Sequence, residues 1–111
     1  MADERLRVEY HTAAADEFEA AAVWYETRRE GLGLRFFEAV ERLERLIEDH
    51  PQSGAPVIGR GMASGIRRHQ VSGFPFAVVY ITEPRLVIVA LAHARRLPGY
   101  WRGRLTGPKG Q

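Results

Sequence analysis

The sequence predicts an α+β domain in which a helical hairpin packs on a small, mainly antiparallel sheet, with its elements in the order β-α-α-β-β-β. In the first half of the chain, apolar residues recur at helical spacing in two segments that a glycine-rich break separates. In the second half, three short segments rich in valine and isoleucine are divided by turn residues, as is typical of strands. A length of 111 residues suits one domain, so we expect a single domain over residues 1–105 and a flexible C-terminal tail over residues 106–111.

The first strand and the first helix are predicted from the N-terminal residues. Apolar Leu6, Val8 and Tyr10 alternate with charged neighbours, a period of two that predicts a half-buried strand able to join an edge of the sheet. Thr12 is a candidate N-cap for the helix that follows, and Asp16 and Glu17 place negative charge near the positive end of that helix. The apolar stripe expected to face the core consists of Ala14, Phe18, Ala22 and Tyr25.

A second helix is predicted over residues 34–49, after the break Gly31-Leu32-Gly33. This break favours a tight connection, so the two helices are expected to form an antiparallel hairpin. His50-Pro51 ends the second helix, because the residue before a proline is pushed out of helical geometry. Residues 51–65 are rich in glycine, proline and serine and are predicted to form a loop. The core-facing stripe of the second helix is predicted to be Phe36, Ala39, Val40, Leu43 and Ile47.

Three strands are predicted in the second half, over residues 66–71, 74–81 and 86–93. Ser72-Gly73 and residues 82–85 supply the turns between them. The last two strands are nearly continuous apolar runs, as expected for strands that are covered on both faces. The three should form an antiparallel meander that packs on the helical hairpin.

Charge is divided unequally along the chain. Residues 1–56 carry seven basic and thirteen acidic side chains, whereas residues 57–111 carry nine basic side chains and a single acid, Glu83. Fifteen of the sixteen basic residues are arginine, whose planar guanidinium binds phosphate and carboxylate groups with two donors at once. The excess of arginine in the second half therefore favours a surface that binds a polyanion. The alternative is that the arginines of the second half pair with the acidic helices of the first half.

Several functional classes lack support in the sequence. The chain has no cysteine, which excludes disulfides, thiolate metal sites and a cysteine nucleophile. The four histidines lie in different predicted elements without a second ligand at metal-binding spacing, so we predict no metal. No glycine motif for phosphate binding is present, and we predict no cofactor. The charged N-terminus and the lack of a long apolar run predict a cytoplasmic protein that does not enter the membrane.

Short fragments occur in a characteristic order between residues 8 and 104. From the N-terminus they are Trp24-Tyr25-Glu26, Gly31-Leu32-Gly33, Phe36-Phe37, Pro51, Ile66-Arg67-Arg68, Phe74-Pro75-Phe76, Tyr80 and His93-Ala94-Arg95-Arg96-Leu97-Pro98-Gly99-Tyr100-Trp101. Combined in this order on the predicted elements, they resemble the RelE/ParE superfamily of toxins from bacterial type II toxin–antitoxin systems. The long helical hairpin and the first two fragments are more similar to the ParE-like branch than to the compact RelE nucleases.

The resemblance implies a toxin that arrests growth when free and is neutralised by a cognate antitoxin, in modules associated with plasmid stabilisation. ParE-like members inhibit DNA gyrase and are not enzymes in doing so, whereas RelE-like members are ribosome-dependent mRNA endonucleases, or mRNA interferases, that need no metal. A third alternative is a non-toxic binding module that represses its own operon together with the antitoxin. In each case the partner implied is an antitoxin with an acidic amphipathic segment, bound in a toxin–antitoxin hetero-oligomer.

Candidate site residues lie on the last strands and beyond them. In a nuclease, arginines would bind the scissile phosphate, while His93 and Tyr100 would move protons or stack on a base. His93 also has a structural interpretation, as a cap on the last strand. The catalytic candidates are Arg67, Arg68, His93, Arg96 and Tyr100. The candidates for binding the target or the antitoxin are Arg67, Arg68, Arg95, Arg96, Tyr100, Trp101, Arg102 and Arg104. Because side chains alternate along a strand, one arginine of each adjacent pair is expected to face a groove, and the sequence leaves open which one.

The sequence favours the ParE-like hypothesis over the nuclease. The only lysine, Lys109, lies in the predicted tail, and Glu83, the only acid of the second half, lies in a predicted turn. RelE-like nucleases often place lysines near the scissile phosphate and can use a glutamate as the base, so under that branch of the resemblance these groups would be expected near the site. Inhibition of gyrase requires a complementary surface instead, and arginine and tryptophan are frequent among binding hot spots. We therefore predict a ParE-like gyrase inhibitor, with the mRNA endonuclease as the alternative.

Overall fold

A computed structural model describes residues 7–59 and 65–105 of the protein. Two helices, α1 (Thr12–Arg28) and α2 (Leu32–Asp49), pack as a hairpin on a five-stranded sheet. The strands are β1 (Glu9–Tyr10), β2 (Ala55–Pro56), β3 (Ile66–Gln70), β4 (Phe76–Ile81) and β5 (Val87–His93), and a 3-10 helix covers Arg102–Leu105. The predicted α+β class is confirmed. None of the helices in the described part of the chain has the length and apolar character needed to cross a membrane.

The sheet has the strand order β1-β5-β4-β3-β2. Strands β3, β4 and β5 form the predicted antiparallel meander, and β1 joins the far edge parallel to β5, with Glu9 opposite Val87 and Tyr10 opposite Ile88. Strand β2 lies inside the segment predicted to be loop and pairs antiparallel with β3. A two-residue strand contains no periodicity, so the sequence pattern could not indicate it.

Both faces of the sheet are apolar. The helix-side face packs on α1 and α2 around Phe36 and Tyr80, which are fully buried. The opposite face, called here the outer face, carries a second cluster of buried residues, namely Ile66, Val79, Val89, Ala90, Ala92 and Trp101. A register shift between Val79 and Tyr80 produces a bulge in the β4–β5 pairing, and as a result Val89 and Ala90 both belong to the outer cluster. The outer face therefore needs a cover of its own, which the C-terminal segment supplies.

The apolar stripes predicted for the two helices face the core. All five residues predicted for α2 are buried. In α1, Ala14 is buried, and the other three residues of the predicted stripe are partly buried against the same cluster. The centre of this cluster is the ring of Phe36, which lies 5.0 to 5.8 Å, centroid to centroid, from the rings of Phe18, Tyr25, Phe74 and Phe76.

The first helix is capped one residue earlier than predicted. His11, rather than Thr12, is the N-cap of α1, since its backbone is extended and its Nδ1 accepts a hydrogen bond of 3.0 Å from the amide of Ala13. A ring nitrogen thus takes the place of the side-chain oxygen that usually satisfies a free amide at a helix start. Thr12 is the first residue of the helix itself.

The second helix begins at Leu32, earlier than the predicted residue 34. Of the three residues of the predicted break, Gly31 lies outside the helix with a left-handed φ of 87°, while Leu32 and Gly33 lie within α2. The carboxylate of Glu26 accepts hydrogen bonds from the amide of Gly31, at 3.0 and 3.2 Å, and from the amide of Gly33, at 2.9 Å. A carboxylate in this position satisfies amides at the start of α2 and suits the positive end of its dipole. The fragments at 24–26 and 31–33 therefore form one structural unit.

Gly33 lies where the two helices approach each other closely. A Cβ atom at this position would lie 2.7 Å from the carbonyl oxygen of Ala22, which belongs to the backbone of α1. Although alanine is the better helix former, we expect Gly33→Ala to lower the free energy of unfolding by about 1–3 kcal/mol, measured by urea denaturation. Gly103→Ala is the control, because a Cβ there meets nothing within 4 Å. An unchanged stability of Gly33→Ala would contradict the close contact between the helices.

The remaining strand boundaries differ from the predictions by one or two residues. β1 begins only at Glu9, so Val8 of the predicted first strand lies before it, and β3 ends one residue early, at Gln70. β4 begins at Phe76 and β5 at Val87, each later than predicted. Three predictions fall wholly or partly outside the described residues: the contribution of Leu6 to the first strand, residues 60–64 of the loop, and the tail that holds Lys109.

Candidate functional site

A groove of about 380 Å³ opens on the outer face of the sheet, and we call it the outer groove. Arg68 contributes to it from β3, Val79 from β4, and Ala92 and His93 from β5, while residues 57–59, Ala94 and residues 96–102 line it from outside these strands. Three arginines and one histidine line the groove, and no acidic side chain of the described chain does so. The groove therefore has the electrostatic character of an anion-binding site.

The two neighbouring arginines of β3, Arg67 and Arg68, have different surroundings. Arg68 is paired with Val79, is exposed and lines the outer groove. The guanidinium of Arg67 instead donates hydrogen bonds to the carbonyl oxygens of Gln52, at 3.2 Å, and Gly54, at 2.7 Å. Arg67 thus ties the segment after α2 to the sheet, and Arg68 is the member of the pair that faces the groove. This is the alternation expected along a strand.

The second arginine pair lies in the turn after β5, which ends at His93. Arg96 lines the outer groove, and its guanidinium carbon lies 3.7 Å from the centroid of the Tyr100 ring. Such a distance is typical of a cation–π contact. Arg95 is exposed and does not line the groove. In this pair, the geometry of the turn decides which arginine faces the groove.

The segment 100–105 covers the outer face. Trp101 is only 5% exposed and packs in the outer cluster, with Tyr100 and Leu105 partly buried beside it. The aromatic residues therefore have the structural role of closing the sheet, and they also form a wall of the outer groove.

Glu17 of α1 binds this C-terminal segment. Its carboxylate accepts a hydrogen bond of 2.7 Å from the hydroxyl of Tyr100 and two of 2.9 Å from the terminal nitrogens of Arg104. It also accepts the backbone amide of Leu91 at 3.0 Å, while Arg104 donates to the carbonyl oxygen of Val89 at 3.0 Å. The bidentate ion pair is well shielded, since both side chains are 18% exposed.

The protonation states at Glu17 follow from this arrangement. Burial alone would raise the pKa of Glu17, but the hydrogen bonds from Arg104, Tyr100 and the Leu91 amide hold that pKa below its usual value. Burial and the bond to the Glu17 carboxylate raise the pKa of Tyr100 to about 12. Tyr100 therefore keeps its proton at neutral pH and shares it with Glu17.

Both interpretations of the uneven charge apply to part of the structure. Arg104 pairs with Glu17, and Arg85 pairs with Glu9 at 3.2 Å, as expected if the basic half neutralises acids of the first half. Within the described residues, no ion pair is formed by four other arginines of the second half, Arg68, Arg95, Arg96 and Arg102. Three of these four line the outer groove, so the surface available to bind a polyanion is smaller than the sequence suggested and is concentrated in this groove.

His93 lies at the end of β5, beside the outer groove. Its Nδ1 accepts a hydrogen bond of 3.0 Å from the amide of Arg95, and its ring packs edge-on against Phe76 at 5.0 Å. These contacts fit the structural interpretation of His93 as a cap. Among the described residues, no cluster of three or more histidine or acidic side chains is arranged to hold a metal ion.

A second cleft, of about 370 Å³, lies between α1 and the sheet, and we call it the helix-side cleft. Its lining is mainly apolar and includes Trp24, which is 51% exposed, and Phe76. His93 and Arg96 line both this cleft and the outer groove, so the two are adjacent. The sequence did not single out this cleft, because the periodicity of α1 does not reveal that Trp24 projects beside the sheet.

The structure brings most of the predicted site residues together. Those that line the outer groove are Arg68, His93, Arg96, Tyr100, Trp101 and Arg102. Those that do not are Arg67, Arg95 and Arg104. Glu17 was not predicted as part of this site, and no local signal could have identified it, because Arg104 lies 87 residues further along the chain.

Comparisons with known proteins agree with the fold. The family model of the ParE toxin of type II toxin–antitoxin systems, parDE, matches residues 8–98. A structure of the chromosomal ParDE toxin–antitoxin system from P. aeruginosa is similar with a TM-score of 0.64 and 14% identity, over 82% of this chain and 98% of that one. The YoeB dimer from Staphylococcus aureus is similar with a TM-score of 0.55 and 13% identity, over 80% of this chain and 97% of that one. At such identities the structural likeness concerns the fold alone. No curated protein matches the sequence.

Proposed function

This chain belongs to the ParE toxin family of type II toxin–antitoxin systems, within the RelE/ParE superfamily, and from that premise we propose that it arrests growth by inhibiting DNA gyrase. The outer groove is the proposed contact surface. The observation that carries the proposal is the composition of this groove. It brings together aromatic residues and three arginines that form no ion pair among the described residues, and no acidic side chain of the described chain lines it. Inhibition by binding requires a complementary surface and no chemistry within the groove.

The groove has the features of a protein-binding site. Arg68, Arg96 and Arg102 supply cationic donors, and the ring of Tyr100 supports one of them. Exposed apolar residues at its rim, Ile58 at 90% and Leu97 at 76% exposure, add surface that a partner would bury. Arginine and aromatic residues with apolar neighbours are frequent in binding hot spots. A negatively charged surface of gyrase would be the complementary partner.

The groups that would move protons in a nuclease are engaged in structural contacts. The hydroxyl of Tyr100 donates to Glu17, and Nδ1 of His93 accepts from a backbone amide. The carboxylate of Glu17 is neutralised by Arg104. A general base and a general acid must reach the reacting atoms, and in this arrangement the Tyr100 hydroxyl and the Glu17 carboxylate are held by other contacts, so that only Nε2 of His93 remains for proton transfer. This supports inhibition by binding over RNA cleavage.

One observation favours the alternative, an mRNA endonuclease that acts on the ribosome. Four of the five catalytic candidates, Arg68, His93, Arg96 and Tyr100, line the same groove. Two arginines beside a histidine and a tyrosine would suit a phosphodiester and a stacked base. The hydroxyl of Tyr100 would then have to leave Glu17 on binding to RNA.

The proposed partner in the resting state is an antitoxin with an acidic amphipathic segment. Arg96 lies between the outer groove and the apolar helix-side cleft, so a segment with carboxylates and apolar side chains would contact both. Segments of this kind fold when they bind. The resulting toxin–antitoxin complex would cover the surface proposed to contact gyrase.

The proposed function is tested in two ways, by assaying purified gyrase and by examining the mRNA of cells that express the protein without antitoxin. We expect the purified protein to inhibit supercoiling of plasmid DNA by purified gyrase, and mRNA from arrested cells to remain uncleaved. Cleaved mRNA with unaffected supercoiling would replace the proposal with the endonuclease. Expression without any growth arrest would instead indicate a non-toxic module that represses its operon with the antitoxin.

A further inference from the structure

We infer that Glu17, on the first helix, is a positioning residue that shapes the outer groove by fixing the C-terminal segment that forms one of its walls. The inference rests on the proposed function of the outer groove as the surface that contacts the target. Glu17 itself does not line the outer groove, although it lines the adjacent helix-side cleft.

Glu17 acts at a part of the β5 edge where no strand of the described residues pairs with it. β1 pairs with β5 only at Val87 and Ile88. Beyond that point, the amide of Leu91 donates to Glu17 and the carbonyl oxygen of Val89 accepts from Arg104. An open strand edge leaves backbone groups that need partners, and here side chains of α1 and of the C-terminal segment provide them. The Glu17–Arg104 pair therefore completes the sheet edge and anchors the segment with the same atoms.

Glu17 is connected to the groove by contacts through Tyr100 and Arg96. The Tyr100 hydroxyl is bound to Glu17 at 2.7 Å, which fixes the far end of the ring. The guanidinium of Arg96 rests on this ring at 3.7 Å and lines the groove. A chain of direct contacts thus leads from a carboxylate on α1 to a cation in the groove. Without the carboxylate, Arg104 and Tyr100 lose their shared partner, and Arg96 loses a fixed support.

A set of variants tests the inference in the whole chain. The protein has two tryptophans, so a Trp24→Phe background leaves Trp101, which is 5% exposed, as the reporter of the C-terminal segment. In this background we compare Glu17→Ala, Glu17→Gln and Glu19→Ala. Glu19 is an exposed residue of the same helix, so its replacement removes the same charge without touching the C-terminal segment. All variants are studied at low temperature, and circular dichroism is used to check that each one is folded.

Two readouts are measured, acrylamide quenching of Trp101 and the affinity for a fluorescein-labelled deca-glutamate peptide. Loss of a negative charge alone should slightly strengthen binding of this polyanion, and we expect that for Glu19→Ala. For Glu17→Ala we expect increased quenching and peptide binding weakened by about fivefold, the effect of losing one ordered charge contact. Glu17→Gln, which keeps an oxygen acceptor, should be intermediate. These opposite signs separate positioning from a general effect of charge.

The outcomes distinguish failure of this inference from failure of the proposed function. If Glu17→Ala leaves both quenching and peptide affinity like those of Glu19→Ala, the positioning role of Glu17 is wrong, whatever the toxicity. If both readouts change as expected but growth arrest is undiminished, Glu17 does shape the groove, and the groove is not the toxic surface.

Discussion

If the outer groove contacts gyrase as proposed, Arg68→Gln is expected to weaken that binding about 30-fold and to relieve growth arrest, while the fold remains intact. Arg68 is exposed on the outer face and lines the groove without an ion pair among the described residues. Removal of its guanidinium therefore costs the folded protein little and costs the complex a contact of hot-spot size, about 2 kcal/mol. The measurements are binding of the purified variant to gyrase and colony formation after induction without antitoxin.

Arg95→Gln is the matched control for this variant. It removes the same charge from an exposed arginine near the groove that does not line it. If binding depended on the overall positive charge of the second half, the two variants would be equally impaired. If Arg68→Gln remains as toxic as Arg95→Gln, the assignment of the outer groove as the contact surface is wrong.

The contrast between Arg67 and Arg68 shows how far the sequence could predict this site. Alternation along β3 requires two neighbouring side chains to face opposite sides of the sheet. Both sides are apolar, since β4 and β5 are buried on the helix-side face and under the C-terminal segment. Hydrophobic periodicity therefore does not indicate which face of the sheet Arg67 or Arg68 lies on. The direction is set by the hydrogen bonds of Arg67 to Gln52 and Gly54, which are long-range contacts.

Glu17 shows a second limit of prediction from the sequence. In the sequence it is one of several acids near the start of a helix, and its charge suits that position. Its role depends on the short β1, which leaves part of the edge of β5 uncovered, and on Arg104, which is brought there by the return of the C-terminal segment. Neither feature has a local pattern. The second helix, in contrast, was predictable because five apolar residues at helical spacing fix which side faces the core.

Phe36→Ala is expected to lower the free energy of unfolding by about 3–5 kcal/mol, the usual range for loss of a buried phenylalanine. Phe36 is fully buried, and its ring contacts four other aromatic rings that join both helices to the sheet. Small domains are stabilised by only about 5–15 kcal/mol, so this variant should lose much of its stability and melt at a clearly lower temperature.

The neighbouring Phe37 provides a stringent comparison, because the same substitution one position further along α2 falls on a different side of the helix. Phe37 is 43% exposed and stacks on Phe18 at 5.7 Å, so Phe37→Ala should cost only about 1 kcal/mol. Urea denaturation of the two variants measures the difference directly. Equal losses would mean that the core is not ordered around Phe36, and the helical hairpin would then not hold the sheet in the position that forms the outer groove.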